Sequence, residues 1–193
     1  MDRALLALTA DADGEAPAYI CGESFGGPIA LTLARRYPSR VRGLILFSTF
    51  ARYPGRLVGE LGLAAWRLVG NTASRHLLRM CHPFTLLGAM GVRFPLRLAT
   101  AYLRRPAVDA EAYRAKCELA VHFDARRWLS DIRQRAVVLA GTWDPIVPSS
   151  SARGLAQMLP DATFYSISGG HLAWCVRGPE VGSLLAGWAN ERR

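Results

Sequence analysis

Lysine is nearly absent from this sequence: Lys116 is the one lysine in 193 residues, so the formal net charge of +9 rests almost wholly on arginine. The arginines are spread along the chain, and no helix-turn-helix, aromatic RNA-binding or zinc-finger pattern accompanies them. A nucleic-acid surface needs positive charge clustered around such a motif, so no nucleic-acid partner is expected. Long apolar runs are missing as well. Glu60, Arg67, Arg79, Arg93 and Arg97 interrupt the greasiest stretches before any reaches the ~18 residues that a membrane span requires. The opening Met-Asp-Arg-Ala-Leu-Leu lacks the long apolar core and small-residue cleavage site of a secretory signal. No membrane span and a cytoplasmic location are therefore expected. Cys21, Cys81, Cys117 and Cys175 form no Cys-x-x-Cys pair and sit in mostly apolar surroundings, which reads as reduced, packed thiols. Cys81-His82, and Cys117 with His122, offer no ligand spacing that recurs elsewhere, so no metal is expected.

What is present is apolar residue: 51% of the chain is hydrophobic, enough for one substantial core and, at this length, one domain carrying an insertion. Ala18 to Cys21 is a short apolar run that ends in a glycine-rich turn, and Pro28 to Arg36 repeats apolar residues at helical spacing. Val41 to Phe47 has the continuous apolar character of a strand buried on both faces. Strand, turn, helix and strand in this order make a right-handed βαβ unit. From about Tyr53 to Asp131 no strand-like run occurs. Leucine, alanine, arginine and aromatics recur there at three- and four-residue spacing between breaks at Gly70, Pro83, Pro95 and Pro106, predicting an all-helical insertion. The alternation then resumes with a strand at Ala136 to Ala140, a helix at about Ser150 to Leu159, a strand at Thr163 to Ile167 and a helix at about Pro179 to Asn190. The expected fold class is α/β: a parallel sheet of about four strands with helices on both faces. Residues 1–52 and 132–193 form its core, and 53–131 a helical cap.

Gly22-Glu23-Ser24-Phe25-Gly26-Gly27 puts a serine on the tight turn between the first strand and its helix. Such a turn needs glycines on both sides, because the serine backbone is strained and the helix packs closely on the strand. A serine hydroxyl becomes a useful nucleophile only beside a base that takes its proton, and the base needs a group to orient it. The next strand end carries Gly141-Thr142-Trp143-Asp144-Pro145-Ile146-Val147-Pro148, and the one after carries Ser168-Gly169-Gly170-His171. Ser24 as nucleophile, Asp144 as orienting acid and His171 as base then lie on one edge of the sheet. Asp109, Asp124 and Asp131, and likewise His76, His82 and His122, fall in or beside the helical insertion and suit these roles less well. Read alone, Asp144 before a proline equally suits a turn or helix cap, and His171 an ordinary loop.

At these motifs, and with Gly178-Pro179-Glu180 opening the last helix, the chain resembles the α/β-hydrolase superfamily along essentially its whole length, in particular small esterases and lactonases that carry a helical cap. The resemblance implies hydrolysis of a small carboxylic ester or lactone through an acyl-enzyme, with the backbone N–H of Phe25 in the oxyanion hole and no cofactor. It implies a small-molecule ester-like partner with an apolar acyl or alkyl group. Trp66, Phe84, Met90, Phe94 and Tyr102 would be cap core over an apolar pocket. A non-catalytic binding protein on the same fold, and carbon–carbon hydrolysis or acyl transfer on the same triad, stay open as alternatives. One departure is clear, since some seventeen residues precede the first strand where the family has about four strands and a helix. The expectation is a chain lacking the family's N-terminal third, with the loop that supplies a second oxyanion N–H. Loss of one such donor costs ~10²–10³ in rate.

Overall fold

The computed structural model describes residues 17–90 and 109–191. Four strands, β1 (Ala18–Glu23), β2 (Val41–Phe47), β3 (Arg135–Gly141) and β4 (Ala162–Ile167), form one sheet in the order β1-β2-β3-β4. Every pairing is parallel: Ile20 lies beside Leu44, Leu44 beside Ala136, and Ala136 beside Ala162. Parallel strands require crossover connections, and these are α1 (Gly26–Arg36), the long insertion with its own helices α2 (Arg56–Met90) and α3 (Ala110–His122), and α4 (Ser149–Met158). The strand and helix positions expected from the sequence recur within a few residues. β1 reaches two residues further, so that Gly22 and Glu23 belong to the strand and Ser24 follows it directly.

Side chains alternate between the two faces of a strand, and here both faces are covered. Leu44, Leu46, Val138 and Ala140 pack with Ala30, Leu31 and Ala34 of α1 and Ala152 and Leu155 of α4. Their sequence neighbours Phe47, Val137 and Leu139, together with Ile167 of β4, turn the other way. They meet Ala173 of the short helix α5 (Ala173–Val176) and Val181 and Trp188 of α6 (Gly178–Asn190). This explains the apolar runs of β2 and β3, and β3 is buried from Ala136 through Gly141. β1, at the edge of the described sheet, instead alternates, with Tyr19 and Cys21 exposed. Helix α1 carries Arg35 and Arg36 in its last turn, where cations complement the helix dipole, and stops before Pro38.

Between β2 and β3 the chain makes α2 (Arg56–Met90) and α3 (Ala110–His122). The expected break at Gly70 is real: its φ of 78° and ψ of 169° divide α2 into two helical pieces. The break expected at Pro83 is absent, and helix runs through it. A proline forfeits one backbone bond and bends a helix without having to end it. The breaks placed at Pro95 and Pro106 fall outside the described residues. Trp66 of α2 stacks on Tyr113 of α3 at 6.2 Å, and Arg67 reaches Glu118 at 3.1 Å, so the two helices are paired side by side. α3 begins where Asp109 accepts from the N–H groups of Glu111 and Ala112, an N-cap.

The insertion is fastened at its neck. Arg52 and Asp124 form an antiparallel bridge, and Ala125 N–H donates to Ala51 O at 2.8 Å. Ala125, Leu129 and Ile132 are buried in the same cluster as α1 and α4, which anchors the returning strand of the neck in the sheet's own core. Asp124 also holds Arg126 at 2.6 Å. Hydrogen bonding from Arg126 keeps the Asp124 carboxyl ionised down to about pH 2, well below its usual value. An NMR carboxyl titration should therefore give a midpoint about 2 for Asp124. In Arg126→Ala that midpoint should rise toward the ordinary carboxylate range, and an unchanged value would mean the guanidinium is not its cause.

Candidate active site

The C-terminal ends of all four strands meet at one edge, and hydrogen bonds continue across them beyond the regular ladder. Ser24 N–H donates to Phe47 O at 2.9 Å, Ser48 N–H to Leu139 O at 2.8 Å, and Thr142 N–H to Ile167 O at 2.9 Å. Each residue just past a strand is thus fixed by its neighbour. Ser24, half-buried, has φ 52°, a left-handed backbone that a residue with a side chain adopts at a cost of order 1–3 kcal/mol. The strain is held by Gly27 N–H donating back to Ser24 O at 3.1 Å, and by the Thr49 hydroxyl donating to the same oxygen at 2.7 Å.

Ser24 has a sterically required glycine on each side, as expected, and the one after it is Gly27 rather than Gly26. A Cβ on Gly22 would lie 2.7 Å from Gly26 O and 2.9 Å from Gly27 Cα, and one on Gly27 would lie 2.6 Å from the Thr49 Cβ. A Cβ on Gly26 would meet nothing within 4 Å. Gly22 and Gly27 are therefore the positions that let strand, turn and helix approach, and Gly26 is sterically open.

Asp144 and His171 are both buried, each 6% exposed. The histidine Nδ1 lies 2.7 Å from Asp144 Oδ2, while Oδ1 accepts from Ile146 N–H at 2.8 Å and Val147 N–H at 2.9 Å. An ionised carboxylate is acceptor-only with about four lone-pair sites, and three of them are filled here. Asp144 thus caps the turn that follows it with one oxygen and meets the His171 ring with the other. Since Asp144 accepts, Nδ1 carries the proton in the neutral ring, which leaves the lone pair on Nε2.

The other end of the ring faces Glu23: His171 Nε2 is 3.3 Å from Glu23 Oε1. Among the described residues no hydrogen bond joins the ring to Ser24 Oγ. Burial pushes the Glu23 carboxyl above its ordinary value; the neighbouring His171 and Lys116 pull it down, and Asp144 pushes it up. Lys116, on α3, places its ammonium 5.7 Å from the Phe25 ring centre, so the insertion reaches the turn through the chain's one lysine. Phe25 is the residue before α1, and among the described residues its backbone N–H has no acceptor.

Sequence reasoning missed Ser48, Thr49, Glu23 and Thr142. The Ser48 hydroxyl, 2% exposed, donates to His171 O at 2.8 Å, and Thr142 Oγ accepts from Gly169 N–H at 3.3 Å. Ser48 itself has φ 44°. The one legible signal was Ser48-Thr49, two hydroxyls directly after a buried apolar strand. Of the rejected candidates, His122, Asp109, Asp124 and Asp131 are all exposed, and the side chains of His76 and His82 lie outside the described residues. Trp66 hydrogen-bonds Asn71 and stacks on Tyr113 within the insertion; Phe84, Met90, Phe94 and Tyr102 are outside the described side chains. A cleft of about 470 Å³ lies elsewhere, between the neck and α4. It is lined by Arg52, Tyr53, Arg56 and Met158 among others, and by none of the three candidates. Cys21, Cys117 and Cys175 are free thiols; Cys117 is half-buried, whereas Cys21 and Cys175 are exposed, so the expectation of packed thiols fails at those two. Among the described residues no helix is long and apolar enough to cross a membrane.

A doubly covered parallel sheet whose strand ends carry serine on a left-handed turn, then aspartate, then histidine has the architecture of the α/β hydrolases. The family model described as serine aminopeptidase, S33, matches residues 3–171, and the chain belongs to this family. It is 33% identical over 160 residues to a pimeloyl-[acyl-carrier protein] methyl ester esterase of Aromatoleum aromaticum, covering 75% of this chain and 62% of that protein. It is 28% identical over 178 residues to a poly(3-hydroxyalkanoate) depolymerase of Ectopseudomonas oleovorans, covering 90% and 61% respectively. Among solved structures, the enol-lactonase of Burkholderia xenovorans LB400 superposes with a TM-score of 0.74 at 25% identity, over 97% of this chain and 73% of that one. The chain thus spans about three fifths of the length of the first two relatives.

The loop that carries His171 packs on Gly141: a Cβ there would lie 2.6 Å from Gly169 O and 2.8 Å from Gly170 C. Backbone cannot rotate aside as a side chain can. Gly141→Ala should lower stability in urea unfolding by about 1–3 kcal/mol, as overpacking does. An unchanged unfolding midpoint would show that the loop has room to shift.

Proposed function

We propose that the protein is a serine hydrolase that cleaves a small carboxylic ester or lactone through an acyl-enzyme. The observation that carries this reading is the buried Asp144–His171 hydrogen bond of 2.7 Å, set at the same sheet edge as the strained Ser24 turn. In this mechanism Ser24 Oγ attacks the carbonyl carbon while its proton passes to His171 Nε2, and Asp144 steadies the imidazolium through Nδ1–H. The developing oxyanion sits at the N-terminus of α1, where the Phe25 N–H is available. The proton on Nε2 then goes to the leaving alkoxide, which departs as alcohol, and a serine ester remains. Water gives a proton to Nε2 and attacks the ester carbonyl; as the tetrahedral species collapses, Nε2 returns that proton to the leaving Ser24 Oγ, which frees the carboxylic acid and regenerates Ser24. The ring must swing from Glu23 to Ser24 for the first step, and catalytic hydrogen bonds are often long or misaligned before substrate binds.

Support for an ester or lactone as substrate comes from the named activities of the relatives: a methyl ester esterase, a polyester depolymerase and, by structure, an enol-lactonase. The helical insertion, reaching the turn through Lys116, would form the cap over the substrate, bounded by residues 53–131, and the enzyme would act in the cytoplasm.

Two outcomes follow. A fluorophosphonate probe should label Ser24, found by peptide mass spectrometry, and labelling should vanish in Ser24→Ala; persistent labelling of that variant would remove the serine from this role. Asp144→Asn should keep the fold but lower kcat on a p-nitrophenyl ester by ~10⁴, because it disturbs the tautomer and orientation of His171. A loss below tenfold would deny Asp144 the orienting role.

A further inference from the structure

Glu23 is the residue just before the serine, and nothing in the hydrolytic cycle calls for a carboxylate there. It is nevertheless half-buried, and its Oε1 faces His171 Nε2 at 3.3 Å, the nitrogen that must receive the serine proton. We propose that Glu23 is a positioning residue that acts as a proton-dependent brake, holding the protonated His171 ring at Nε2 and away from Ser24. This rests on the serine-hydrolase reading above.

The argument follows from where protons can sit. Nδ1 donates to Asp144, whose other oxygen is occupied by two backbone N–H groups, so that carboxylate is fixed as an acceptor. With Nδ1 protonated, a neutral ring presents a lone pair at Nε2, which repels the Glu23 carboxylate. The contact becomes attractive only when one further proton lies between the two groups, either as imidazolium or as a Glu23 carboxylic acid donating to Nε2. In both forms the Nε2 lone pair is taken and cannot activate the serine. Loss of that proton turns attraction into repulsion and frees the ring for Ser24.

The surroundings favour keeping the proton. Burial is the largest influence on Glu23 and raises its proton affinity, and Asp144 on the loop after β3 adds to it. Lys116, facing from α3, opposes both. Among the described residues the other titratable neighbours are the thiols of Cys21 on β1 and Cys175 on α5, whose ionisation partial desolvation and Glu23 disfavour. The imidazolium thus has carboxylates at both ends, Asp144 at Nδ1 and Glu23 at Nε2, and only the second gives way in catalysis.

The test is the acid limb of the pH profile, read together with the ring titration of His171 by ¹H–¹⁵N NMR. Glu23→Gln, which removes the charge at nearly constant shape, should lower both midpoints by about one pH unit. Below both midpoints kcat/KM should rise up to ~tenfold over the unaltered protein, with little change above pH 8. Lys116→Met, which keeps an apolar stem beside Phe25, should move both midpoints the opposite way, and it serves if Glu23→Gln does not fold. His171 midpoints unchanged in both variants would overturn the brake even if ester hydrolysis is observed. A His171 midpoint that moves as stated in a protein that hydrolyses no ester would uphold the Glu23–His171 coupling and sink the hydrolase reading instead.

Discussion

Burying a carboxylate beside a histidine is the constraint around which this site is arranged. Asp144 is almost wholly removed from water, and an isolated charge there would cost several kcal/mol. The cost is offset because Ile146 and Val147 supply two backbone donors and His171 a third. Those donors exist only if the chain turns sharply after β3, and the histidine arrives only if the loop after β4 lies flat against Gly141. Ser48 then ties the histidine's own carbonyl to the end of β2. Four strand ends, three of them remote in sequence from Ser24, are thereby committed to one geometry.

β2 does more in this arrangement than pair with its neighbours. Its end supplies Phe47 O to Ser24, the Ser48 hydroxyl to His171 and the Thr49 hydroxyl to Ser24 O. The strained serine turn and the histidine loop make no regular strand pairing with each other, and this pair of hydroxyls is what couples them. A left-handed Ser48, at φ 44°, is the local consequence of aiming its side chain that way. The resting site that results has the imidazole between two carboxylates rather than between a carboxylate and a serine.

Much of the fold was legible because the physics behind it is local. Apolar runs in Val41–Phe47, interrupted only by the charge of Arg42, and in Ala136–Ala140 mark strands covered on both faces, and Pro38 marks where α1 must stop. The described part of the insertion was legible as helical from its three- and four-residue spacing, and its break from Gly70. Pro83 misled, since a proline's effect depends on whether the helix around it is held by other contacts. The pairing of Asp144 with His171 was legible as order along the chain, because consecutive strands in a parallel sheet present their ends on the same edge.

The sequence by itself determined the parallel sheet, the serine turn and the two loops that follow later strands, since apolar patterning and turn residues act over a few neighbours. Only the tertiary structure decided which atoms meet. It assigned the tight approach to Gly22 and Gly27 rather than Gly26, and gave Ser48 and Thr49 their partners. It also set Glu23 against Nε2. A hydrogen bond between residues more than a hundred positions apart, as from Ser48 to His171, depends on distances of a few tenths of an ångström that no local pattern records. Spacing along a chain can bring the right groups to one edge of a sheet, whereas the protonation states available to them depend on burial and on neighbours supplied by other elements.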